Sequence, residues 1–207
     1  MRPDKIFKRV LILCEGDSET NYLTSYRSDD GNRRRLSGTE IDIYQPKNFS
    51  PIGLVKEAKK RVKESKKEHM LFDCAWVVFD KDGHYGVPDA FQLVADHNNA
   101  AKLPQIHIAF SARCFEMWLA LHFERRKLYF ANGDAAKDHV RTLIPGYNES
   151  FKAYKHLKEH DISREKAKAN AIWLRNQGMA DINLGRRLYD LDSWCDFDEL
   201  MDYLDQV

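Results

Sequence analysis

Four short apolar runs, each followed by a stretch of helical spacing, constrain this chain more than any other feature. They are Val10-Leu11-Ile12-Leu13-Cys14, Ile41-Asp42-Ile43-Tyr44, Cys74-Ala75-Trp76-Val77-Val78-Phe79 and Ile106-His107-Ile108-Ala109-Phe110. All are too short for a buried helix. The first and third lack polar alternation and read as strands covered on both faces; the second alternates. After the first run, the turn Glu15-Gly16-Asp17-Ser18 opens a helix to about Arg27, with Ser18 as N-cap. Ser50-Pro51 opens a second helix to about Glu68, because proline's missing N–H costs nothing in a first turn. Pro88-Asp89 opens a third, to about Ala101. The order β-α-β-α-β-α-β-α predicts an α/β fold: a mostly parallel four-stranded sheet with helices on both faces.

From Cys114 onward the pattern turns helical. Phe115, Trp118, Leu119 and His122 follow i, i+3, i+4, i+7 spacing. Further helices are expected near residues 135–143, 151–160, 164–176 and 197–204. The last has Asp196 as N-cap and Glu199 three residues on, the spacing of a capping box. The expected organisation is a core over residues 1–123 and a helical C-terminal extension over 124–207, packed on the same domain. With 207 residues, 43% of them hydrophobic, the chain can build one sizeable core and not two ordinary enzymes.

No apolar run approaches the roughly 20 residues of a bilayer crossing. Val10 to Cys14 is shorter than the roughly 7–15-residue core of a signal peptide and runs into charge. Cys14, Cys74, Cys114 and Cys195 form no C-x-x-C pair and no metal-finger spacing. A cytoplasmic protein with reduced, buried thiols is expected.

A net charge of +1 conceals an asymmetry. Residues 1–67 hold 16 basic and 10 acidic side chains, whereas residues 179–207 hold 2 and 8. A basic N-terminal third attracts a polyanion. Arg33-Arg34-Arg35 falls in a polar stretch, residues 28–38, that reads as a loop able to hold a nucleic-acid backbone. Lys59 and Lys63 belong to a lysine-rich helix that is either a solvated face with i, i+4 ion pairs or a second phosphate contact.

In parallel sheets the carboxyl ends of the strands carry the ligand site. Three strands here end in polar groups: Glu15, Asp80 with Asp82, and Ser111. Asp80 and Asp82 leave a strand into a glycine turn, placed to reach one hard cation, and Glu19 lies one helical turn after Glu15. Carboxylates so gathered repel one another unless cations sit between them. The alternative is that they only cap helices. His84, in the same turn, is either a surface histidine or a group that steadies a phosphate or a water.

Val10 to Gly16, with Glu19, resembles the first motif of Toprim domains, and Val77 to His84 resembles their D-x-D motif. Ile108 to Phe123, around Ser111-Ala112-Arg113-Cys114-Phe115-Glu116, is similar to the third signature of RloB-like proteins, a Toprim-like branch found in bacterial abortive-infection loci. The resemblance implies a Toprim-like fold. Glu15 corresponds to a metal ligand or general acid/base, Asp80 and Asp82 to the metal-binding pair, and Glu19 to a second acid. Glu116 and Ser111 fall near the metals, Glu116 as a further ligand and Ser111 toward the nucleic acid. Toprim domains act on phosphodiesters with Mg²⁺ or Mn²⁺. A topoisomerase needs a nucleophilic tyrosine on another domain and a primase needs template-binding modules, and this chain has room for neither. The implied activity is a metal-dependent nuclease of antiphage defence, acting on RNA or DNA. Its implied partner is an AAA- or ABC-type ATPase. The rival is a non-catalytic Toprim-like subunit regulating that ATPase, with the acidic tail and Trp194, Phe197 and Tyr203 serving either as its docking surface or, for the aromatics, as core. Oligomeric state stays open.

Other motifs fail. His156-Leu157-Lys158-Glu159-His160 matches H-x-x-E-H, but the zinc-protease reading needs a distant third glutamate, and only Glu165 and Glu199 follow. The strand before Asp80 also resembles that of haloacid-dehalogenase-type phosphatases, but His84 stands where Thr or Val belongs. Residues 80–91 are no calcium loop, because Phe91 occupies its twelfth position.

Overall fold

A computed structural model describes residues 8–100 and 102–207. The four apolar runs form β1 (Lys8–Cys14), β2 (Thr39–Tyr44), β3 (Cys74–Asp80) and β4 (Gln105–Ser111). All pair in parallel, in the order β2-β1-β3-β4. The chain moves outward from β1 to β2 through α1 (Asp17–Ser28), then crosses back to β3 through α3 (Pro51–Lys67) and on to β4 through α4 (Val87–Ala100). Ala101, the expected end of that last helix, lies outside the described residues, as do residues 1–7 of the basic third.

Period two along the strands divides the core. Val10, Ile12 and Cys14 join Trp76 and Val78 in packing against α1 and the C-terminal helices. Leu11, Leu13, Val77, Phe79 and Phe110 pack against α3 and α4. Because right-handed crossovers that run in opposite directions place their helices on opposite faces, α1 and α3 diverge above β1 and β3. That reversal opens a crevice at the carboxyl ends of these two strands.

The C-terminal half consists of α5 (Glu116–Leu121), α6 (Gly133–Leu143), α7 (Ala153–Glu159), α8 (Arg164–Asn183) and α9 (Phe197–Gln206). Residue 123 is no structural boundary: one apolar cluster runs from Val10 through Trp118 and Leu174 to Leu204. Residues 194–196 also close the open side of β4. Ala112 N–H donates to Trp194 O at 2.7 Å, and Asp196 N–H donates to Phe110 O at 3.1 Å.

Several local expectations are corrected. Ser18 lies inside α1, whose N-cap is Gly16. Asp196 makes no capping bond to α9; its carboxylate accepts from Phe110 N–H and Trp194 Nε1 instead, since the buried edge of β4 has no other partner there. Residues 30–35 are not a loop but a short helix, α2 (Asp30–Arg35), capped by Asp29. It precedes β2, so Arg33, Arg34 and Arg35 sit at the amino edge of the sheet, opposite the acids. Arg33 pairs with Asp30, Arg34 donates to Asp30 O, and Arg35 donates to Leu204 O and pairs with Asp205. Lys59 and Lys63 also lie well down α3, about 12 and 18 Å from its start at the carboxyl edge at 1.5 Å per residue. Neither set reaches the crevice. Trp194 and Phe197 are buried, which removes them as docking groups. α8 continues about two turns past its expected end.

The acidic tail is held by ion pairs rather than left free. Asp198, 2% exposed, takes a forked pair from Arg175, with Nη2 at 2.9 Å from Oδ2. Asp202 pairs with Lys168, and Asp205 with Arg164 and Arg35. Removing one partner of such a buried pair strands a charge, at a cost of about 3–5 kcal/mol, whereas removing both is far milder. Arg175→Ala is therefore expected to lower the unfolding free energy by about 3–5 kcal/mol, and Arg175→Met with Asp198→Leu by less than half of that. Denaturant melts of the single and double variants check this.

Candidate metal centre

Glu15 is the first residue past β1, and its backbone N–H donates to Val78 O at 3.0 Å, which extends the β1–β3 ladder to the strand end. Its side chain turns across to β3. Oε2 accepts from Asp80 N–H at 3.1 Å, and Oε1 stands 2.6 Å from His84 Nε2. His84 returns to the edge through a turn closed by its N–H to Lys81 O at 2.8 Å, with Gly83 at φ +79°, a conformation that favours glycine. Donor atoms of Glu15, Asp80 and His84 all lie within 4.8 Å of one another.

Four more acids or partners come from other elements. Glu19, 4% exposed, folds back over the start of α1; a Cβ on Gly16 would stand 2.8 Å from Glu19 Oε2, so this approach requires glycine. Glu116, 2% exposed, opens α5 and accepts from Tyr147 Oη at 2.7 Å. Asp82 lies against the N-terminus of α6 at Gly133, where the helix dipole favours an anion. These residues line one open basin of about 310 Å³, with Lys137 and Glu149 at its wall. Among the described residues, none of Glu19, Asp80, Asp82 and Glu116 has an ion-pair partner, and Glu15 has only His84.

The electrostatics follow from that crowding. Asp80 is pushed well above the usual carboxylate range by burial and by repulsion from Glu15, Glu19, Asp82 and Glu116. Burial, with repulsion from Glu15 and Glu116, pushes Glu19 up to about 8. Burial also raises Glu15, against the Asp80 N–H and His84, which favour its charged form. Asp80 Oδ1 is sealed from solvent and has no hydrogen-bond partner. An orphaned buried carboxylate oxygen amid further acids is a donor set for a hard cation such as Mg²⁺ or Mn²⁺, and the residues present fit one.

All five acids expected from the sequence meet here, as does His84. The other expected contacts do not. Ser111 is buried, with Oγ 3.7 Å from Cys195 Sγ, and presents nothing to a ligand. Lys81 turns away to Asp190 O, Leu191 O and Asp192, in keeping with having no assigned role. Sequence reasoning missed Lys137, Tyr147 and Glu149, which lie on α6 and the α6–α7 connection. No motif marks them; only their position after a helix start at Gly133 offered a hint. Among the described residues Lys137 is the only basic one lining the basin, and it pairs with Glu149.

A family model described as RloB-like protein matches residues 10–204. No curated protein and no solved structure matches the chain.

Because the folded-state pKa of Glu19 stands above its ordinary 4.5, the metal-free fold binds more protons than the unfolded chain between about pH 4.5 and 8. Its contribution is complete below that window and is lost as pH rises through it. Metal-free protein is expected to melt at lower temperature at pH 8.5 than at pH 5.5. Glu19→Gln, neutral throughout, flattens that decline and melts higher than wild type at pH 8.5. Calorimetry in chelator across this range is the check.

Proposed function

The chain belongs to the RloB-like family, and from its acidic edge we propose that it is a divalent-metal-dependent nuclease that hydrolyses RNA or DNA phosphodiesters as an effector of bacterial antiphage defence. One observation carries the reading: Glu15, Glu19, Asp80, Asp82 and Glu116 share a basin in which arginine and lysine neutralise none of them among the described residues. A module that had lost its ion would be stabilised by filling that place with a basic side chain.

Glu15, Asp80 and Asp82 are the groups that would hold Mg²⁺ or Mn²⁺, with Glu19 and Glu116 behind them. Such an ion, when bound, lowers the pKa of an attacking water and screens the charge of the scissile phosphate. The chain's own residues do the rest. Asp80 N–H and His84 together hold the Glu15 carboxylate in the basin wall. Tyr147 holds Glu116 in place from the C-terminal half. Lys137 supplies a positive charge for a non-bridging phosphate oxygen, exchanging Glu149 for substrate. Phe49, on the basin wall, and Tyr85, directly after His84, are 54% and 101% exposed. Their open faces suit unpaired bases, which stack on aromatic rings without sequence preference.

An ATPase partner belongs to the same proposal, and the test includes it. A panel of DNA, mRNA and tRNA is incubated with Mg²⁺ or Mn²⁺ and wild-type protein or Asp80→Ala, alone and with the neighbouring ATPase. Wild type is expected to cut at least one substrate, and Asp80→Ala or chelator to abolish the cut. Lys137→Ala is expected to lower kcat by about 10²-fold with a smaller change in KM. Absence of cleavage by wild type in every arm would favour the non-catalytic regulatory subunit.

A further inference from the structure

We propose that His84 is a direct ligand of the divalent ion, completing with Glu15 and Asp80 a mixed nitrogen–oxygen set that selects first-row transition ions over Mg²⁺. This rests on the metal-dependent reading above and adds to it a ligand and a metal preference.

Three features of the site point the same way. His84 Nε2 is the ring atom turned to the Glu15 carboxylate, 2.6 Å from Oε1, and the turn at Gly83 carries the ring there. Glu15 is not free to follow the histidine elsewhere, because its other oxygen is tied to Asp80 N–H. Asp80 contributes the third donor, with Oδ1 buried and unpartnered. The three groups thus enclose one point from two adjacent strand ends and the turn after β3, each within 4.8 Å of the others.

The donor chemistry sets the preference. Mg²⁺ takes oxygen ligands and sheds water reluctantly, so an imidazole adds little to its binding. Imidazole nitrogen is a good ligand for transition ions, and carboxylates accept Mn²⁺ as readily as Mg²⁺. A histidine that only held Glu15 by a hydrogen bond would leave the ion in an all-oxygen site with no such discrimination.

Mn²⁺ is the probe, because its electron spin reports a directly bound nitrogen. Pulsed electron paramagnetic resonance of wild-type protein loaded with Mn²⁺ is expected to show ¹⁴N modulation. The modulation should change to the ¹⁵N pattern in protein labelled with ¹⁵N-histidine, an experiment that needs no mutation. His84→Ala and His84→Gln are expected to lose it. In calorimetric titrations His84→Ala should weaken Mn²⁺ binding about tenfold or more and leave Mg²⁺ binding within about threefold. Mn²⁺ bound without nitrogen modulation, or equal losses for both ions, would overturn the role of His84 while leaving the metal centre intact. Failure of wild type to bind either ion would overturn the metal-dependent reading itself, and the ligand assignment with it.

Discussion

Mutual repulsion among buried carboxylates is the constraint on which this structure turns. Asp80 is surrounded by four other acids, and each added charge makes the next harder to ionise. The fold does not relieve this with basic side chains. It sets Glu15 Oε1 2.6 Å from His84 Nε2 and leaves Asp80 Oδ1 with no partner among the described residues. Such an arrangement holds stability in reserve, because a bound cation converts the repulsion into attraction.

The scaffold that maintains this tension is apolar and ordinary. The sheet is covered on both faces, and the reversal of chain direction at β1 sets the ends of β1 and β3 side by side. Several segments C-terminal to β4 reinforce the same edge. Residues 194–196 satisfy the open side of β4, α5 brings Glu116 from below, and α6 directs its N-terminus at Asp82. Tyr147 reaches Glu116 and Ser18 from the connection after α6. The match to the RloB-like family over residues 10–204 includes every residue of the site, which runs from Glu15 to Glu149.

The charge asymmetry of the chain has a structural use different from the one its sequence implies. The acidic C-terminal segment is matched inside the molecule, by Arg175, Lys168, Arg164 and, from the basic third, Arg35. Ion pairing of this kind takes up Arg35, one residue of the arginine run that reads as a nucleic-acid contact. What faces the basin instead is Lys137 and the exposed ring of Phe49.

Strand number, order of elements and the acids at the strand ends were legible in the sequence, because each depends on local pattern: a short apolar run, a proline at a helix start, a carboxylate where a run stops. Glu15, Asp80 and Asp82 follow from that pattern alone, and Glu19 from one turn of helix. The nature of residues 28–38 was not legible, since a polar segment with glycine and arginine satisfies either a loop or a short capped helix, and Asp29 decided for the helix. Nor was the use of Asp196, whose carboxylate obeys a spacing rule for capping in isolation but answers the unpaired N–H of Phe110 in the fold. Lys137, Tyr147 and the pairing of His84 with Glu15 came only from tertiary structure. Their partners lie 12 to 69 residues away, and no local propensity encodes a contact made by the closing of a core.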